Sequence, residues 1–120
     1  MSTPGETFLR AIHQSIRNSS QWGIAAIGKA PHNIDHYGSM EEELAVLRGI
    51  RLSRVQISAL EKLMDELGRS VAFNILSLID GVVYIDEEEL PDLALIDKAT
   101  GEEITEGFLH DEFYKYSPDE

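Results

Sequence analysis

Apolar residues recur at helical spacing in three separate stretches. From Glu6 to Asn18 they fall at Phe8, Leu9, Ile12 and Ile16, which places them on one face of a helix. Thr3-Pro4 supplies an N-cap with proline at the first helical position, and Asn18-Ser19-Ser20 is expected to stop the helix. Trp22 to Gly28 is small and apolar and fits either a short helix or a buried extended piece. Lys29 to Gly38 combines Pro, Asn, Asp and Gly and predicts a loop.

The middle of the chain is the most helical. Ser39-Met40-Glu41-Glu42 has the form of a capping box, with Leu44, Val46 and Leu47 behind it and Gly49 as the stop. Ser53-Arg54-Val55-Gln56 is a second capping box, followed by Ile57, Leu60, Leu63, Met64 and Leu67 at 3–4 spacing. Gly68 is expected to interrupt this helix. Val71, Ile75, Leu76, Leu78 and Ile79 then cover more than one face, which predicts a helix at the centre of the core. Gly81 suits the left-handed position after its C-terminus.

The last third changes period. Val82–Ile85 and Leu93–Ile96 are strand candidates, and residues 97–102 (DKATGE) predict a hairpin loop with Gly101 at positive φ. Glu103-Ile104-Thr105 would be the return strand, residues 108–116 a short closing helix, and Ser117 to Glu120 a frayed end. The expected fold is α+β: mainly helical over the first two thirds, with a small antiparallel sheet or hairpin and a short C-terminal helix, all in one domain over residues 1–120.

Composition narrows the class. The 120 residues are 42% hydrophobic, enough to fill a core, and include no cysteine, which excludes disulfide frameworks and thiolate metal sites. The N-terminal stretch has no apolar h-region, and no apolar run is long enough to cross a bilayer, so a soluble cytoplasmic protein is expected.

Charge changes the picture more. The net charge is −12, but residues 1–60 hold five acids and six bases, a balance of +1. Residues 61–120 hold the other 17 acids and four bases, a balance of −13. Such a field repels nucleic acid and anionic membranes and attracts basic proteins. Solubility is the plainer use of the same charge.

"FNILSLIDGV", followed by a hairpin and then "FLHDEF", resembles the C-terminal part of a loose group of small uncharacterised bacterial proteins, over about residues 73–113. Some small acidic proteins of that layout resemble immunity proteins that neutralise toxins. The resemblance implies a bacterial cytoplasmic protein without assigned chemistry, leaning to an immunity-type role. The acidic run Asp86–Glu89 need not belong to the shared pattern.

Three constellations could carry chemistry. His32 and His36, at i, i+4 beside Asp35, have a metal-ligand spacing, but Pro31, Asn33 and Gly38 place them in a loop and nothing completes a zinc set. Asp86-Glu87-Glu88-Glu89 lacks the alternation of a calcium loop and reads as a solvated turn. His110-Asp111-Glu112 sets an imidazole among carboxylates, yet neighbours on a helix point apart. Ser53, Ser58, Ser70 and Ser77 lie in no nucleophile elbow, and no phosphate-binding loop occurs. Arg48, Arg51 and Arg54 form a small basic cluster, which would pair with acids of the second half rather than with nucleic acid. Tyr84, Tyr114 and Tyr116 lie near the acids as potential anchors.

The expectation is a non-catalytic acidic binding protein, with no cofactor and no metal. It would dock a basic protein partner, such as a toxin, through Tyr84, Asp86, Glu87, Glu88, Glu89 and Asp92. Two alternatives stand beside it: a homodimeric regulatory domain whose central helix pairs with its copy, and a small metal-dependent enzyme using His32, His36 or His110.

Overall fold

The structure is a computed structural model that describes residues 3–28, 40–82, 91–104 and 109–117. Among the described residues there are four α-helices, α1 (Pro4–Gly28), α2 (Glu41–Arg48), α3 (Arg54–Ile79) and α4 (Leu109–Glu112), and α4 runs on into a 3-10 helix at Phe113–Tyr116. Of the described residues 74% are helical.

The predicted α+β class is therefore corrected to all-α. Among the described residues there is no strand and no sheet. Where the sheet was expected, a tight turn is closed by one isolated antiparallel bridge, Ile96 to Glu103. The turn has the expected chemistry: Gly101 sits at φ +77°, its N–H donates to the Asp97 carbonyl at 2.7 Å, and Asp97 Oδ1 accepts the Ala99 N–H. The pairing does not spread because little of it is buried. Leu95 and Ile104 pack inward, but Leu93 and Ile96 are about half exposed. Two short segments without a further strand to cover them do not make a stable ladder. Val82 is in no strand, and residues 83–85 of that candidate lie outside the described residues.

α1 opens on a reciprocal cap: Thr3 Oγ1 accepts the Glu6 N–H at 3.1 Å, and Glu6 Oε2 accepts the Thr3 N–H at 3.3 Å. It does not stop at Asn18-Ser19-Ser20 but continues to Gly28. Polar helix interiors cost only tenths of a kcal/mol per residue. Burial outweighs that, since Ser20 and Ala26 face inward at 3% and 1% exposure. α2 begins at Glu41 with Met40 in the cap position, and Gly49 follows its last turn as expected; Ser39 lies outside the described residues.

α3 opens on the predicted box, with Ser53 Oγ and Gln56 Oε1 each accepting the other's backbone N–H. Gly68 does not interrupt it. The glycine is there for close approach: a Cβ would lie 2.7 Å from Ile16 Cγ2. The helix ends in a Schellman motif, with Gly81 at φ +74° and N–H bonds from Gly81 to Leu78 and from Val82 to Ser77. Its second half is not wrapped by core. Leu76 is buried, whereas Val71 and Ile75 are 50% and 51% exposed.

The chain groups into two compact units, Met1–Ile16 with Gly68–Glu120, and Arg17–Leu67. The first has a core of Leu9, Leu76, Leu109 and Phe113, with Phe8, Ile12, Phe73 and Ile79 packed against it. In the second, Ala26, Leu44 and Ser20 are buried, Gly23 lies against the Met64 sulfur, and the Arg17 guanidinium pairs with buried Asp65 at 3.6 Å. Among the described residues no helix is long and apolar enough to cross a membrane.

Gly68→Ala tests the close approach. The extra methyl gains up to about 1 kcal/mol of helix propensity. Overpacking against a β-branched side chain stiff at χ1 costs about 1–3 kcal/mol. A net loss in urea unfolding is expected.

Candidate functional site

Two groups of side chains stand out in the first unit, and the sequence assigned neither. The first is centred on Asp80, the residue that caps the C-terminus of α3. Its side chain is 0% exposed. One carboxylate oxygen, Oδ2, accepts the backbone N–H of His110 at 2.8 Å and the Nδ1–H of the same residue at 2.6 Å. The carboxylate thus satisfies a free N–H in the first turn of α4 and fixes the imidazole. Held this way, the ring turns its Nε2 edge along α4, 3.3 Å from Asp111 Oδ1. The expectation that Asp111 and His110 point apart is corrected on this point, although the partner that orients the histidine is Asp80, 30 residues away in sequence. Phe73 packs edge-on against the imidazole.

A second histidine is tied to the same segment. His13 is 3% exposed, its Nε2–H donates to the Phe113 carbonyl at 2.7 Å, and its ring stacks on Phe113 at 4.1 Å. Both histidines serve to seat residues 109–116. The serines considered as nucleophiles have other uses or stand in solvent. Ser53 is a cap, Ser77 donates back to the Phe73 carbonyl, and Ser58 and Ser70 are exposed. Among the described residues no three metal-ligating side chains converge; His32, Asp35 and His36 lie outside them.

The second group lines a cleft of about 310 Å³. Glu6 comes from α1, Glu102 and Glu103 from the turn that follows Gly101, and Glu112 and Tyr116 from the C-terminal segment. Leu9, Ile104 and Leu109 form its apolar floor. The four glutamates come from three parts of the chain, so acidic residues predominate in the lining over an apolar base. Two cations of the chain lie at its edge: Lys115 pairs with Glu112 at 3.1 Å, and the Arg10 guanidinium stacks over the Tyr116 ring at 5.1 Å. The Tyr116 hydroxyl is held above its ordinary pKa of 10.0, first by desolvation, then by the charge of Glu6 and its hydrogen bond, and then by Glu112; Arg10 opposes them.

Of the residues expected to bind a partner, Asp92 is exposed, while Tyr84, Asp86, Glu87, Glu88 and Glu89 lie outside the described residues. Tyr114 is partly exposed and packs on Phe73 and Phe113. Arg48 Nε donates to the Ala26 carbonyl at 2.9 Å. Arg51 and Arg54 are exposed.

No family model matches this chain, and neither does any curated protein or solved structure.

Two outcomes are expected from these contacts. Asp80→Ala removes the acceptor of both His110 bonds and should lower stability by about 1–3 kcal/mol, measured by urea unfolding. Ionisation of Tyr116 is disfavoured in the folded state, so the native chain holds that proton better than the unfolded one. Stability should therefore fall as pH rises above 10 towards the folded-state value. In an ultraviolet titration one tyrosine should ionise late, and Glu6→Gln should move it back towards the others.

Proposed function

We propose that this chain is a non-catalytic acidic binding protein that takes a lysine or arginine side chain of a basic protein partner into the cleft between Glu6, Glu102, Glu103 and Glu112. The observation that carries the reading is the composition of that cleft: four carboxylates above an apolar floor. Such a site accommodates both halves of a long cationic side chain, the aliphatic stem on Leu9, Ile104 and Leu109 and the charged head among the glutamates. The intramolecular stacking of Arg10 on Tyr116 is an instance of the aromatic contact a guanidinium makes there. The net charge of −12 would steer a basic partner towards the chain from a distance and speed encounter more than it tightens the complex.

A nuclease-type toxin is the concrete partner chemistry. The surface with which such a protein holds nucleic acid is necessarily basic, and an acidic protein that covers it blocks its substrate. This is the immunity-type role, and it is placed in the cytoplasm, where a chain without cysteine has no disulfide to lose.

Titration with a short arginine-rich peptide, followed by tyrosine fluorescence, tests the cleft. Affinity should fall as the screening length shrinks from about 10 Å at 0.1 M salt to about 3 Å at 1 M. Glu102→Lys with Glu103→Lys should weaken binding by at least about tenfold. An equal charge change on α2, Glu41→Lys with Glu42→Lys, should leave it near the native value. Equal binding by the two double variants would sink the reading.

A further inference from the structure

α3 carries apolar side chains on its solvent side as well as on its buried one. Val55, Leu63 and Leu67 are 79%, 64% and 64% exposed, and Ala59 between them is exposed. They recur every four residues and so form one continuous ridge on the helix surface. Single exposed apolar residues are ordinary, but an unbroken ridge of them marks an interaction surface.

Charge limits what can lie there. The whole chain is at −12, yet α3 holds three bases (Arg54, Lys62, Arg69) and three acids (Glu61, Asp65, Glu66) and has no net charge. A basic partner is drawn to the acid-rich remainder, not to this helix, and an anionic surface is repelled by that remainder. Two copies of this chain repel each other through their acids, and a neutral helix is where they can approach.

The ridge also matches its own reverse. An end-for-end rotation about a point midway between Leu63 and Leu67 sets each leucine of one copy against the other leucine of the second. Lys62 and Glu66, four residues apart, flank the ridge on one side. The rotation keeps them on that side and brings Lys62 of one copy within two residues of Glu66 of the other, roughly 3 Å along the axis. Two-fold symmetry makes this contact twice.

We infer that α3 is a self-association surface: two copies of the chain pair antiparallel through Leu63 and Leu67, with Lys62 of each opposite Glu66 of the other. The surface shares no residue with the acidic cleft, so either assignment can fail without the other.

Sedimentation equilibrium of the full chain from micromolar to millimolar concentration tests it. The mass should rise from 13.4 kDa towards twice that value. Leu63→Glu with Leu67→Glu should hold it at the lower mass with an unchanged helical circular dichroism spectrum, since both positions are exposed. Lys62→Glu and Glu66→Lys should each weaken association about tenfold, two surface ion pairs being reversed per dimer, and the double exchange should restore it. A single 13.4 kDa species at every concentration overturns the inference and leaves the ridge to an apolar helix of a different protein. A dimer indifferent to the leucine changes, or a double exchange that fails to restore association, overturns it as well.

Discussion

The buried carboxylate of Asp80 keeps residues 109–116 in place, and with them one wall of the acidic cleft. Eight residues split between a single α-helical turn and a 3-10 turn cannot be helical alone, because nucleating a helix costs more than so few bonds return. Their order comes from outside. Asp80 binds His110 through its backbone and its ring, while Leu109 and Phe113 sink into the core at 3% and 0% exposure. A charge removed from water is costly unless it is hydrogen-bonded, so Asp80 has one arrangement far better than the rest. That selectivity holds His110 at the start of α4 and leaves Glu112 and Tyr116 at its far end facing the cleft. His13 reinforces the same seat by donating to the Phe113 carbonyl.

The cleft is lined by glutamates from three parts of the chain. Backbone geometry accounts for the gathering. Glu6 is tied into the N-terminal cap of α1, and Glu102 and Glu103 follow a turn closed at Gly101. Glu112 pairs with Lys115. The Tyr116 hydroxyl holds its proton above the ordinary value, first through desolvation and then through Glu6 and Glu112. A cation placed among these glutamates would relieve part of their mutual repulsion.

Counting charge by halves of the chain located most of these acids but misplaced the boundary. Glu102, Glu103 and Glu112 belong to the acidic half, whereas Glu6 comes from the half that is close to neutral. The residues expected to bind a partner, Tyr84, Asp86 to Glu89 and Asp92, lie close together along the chain. The residues that the fold brings together are scattered from Glu6 to Tyr116, and nothing in their spacing marks them.

Local features were legible in the sequence because their causes are local. The Ser53–Gln56 box, the stop at Gly49 and the left-handed glycines at 81 and 101 all rest on bonds within a few residues. What the tertiary structure decided was where those local preferences lose. α1 runs through Asn18-Ser19-Ser20 because burial of its later turns outweighs weak polar penalties. α3 runs through Gly68 because Ile16 needs the space. The predicted sheet dwindles to one bridge because no further strand among the described residues covers it. Asp80 and His110 are joined across 30 residues by two hydrogen bonds that no spacing in the sequence announces. Pattern along the chain records which side chains could share a face; only packing sets which of them meet.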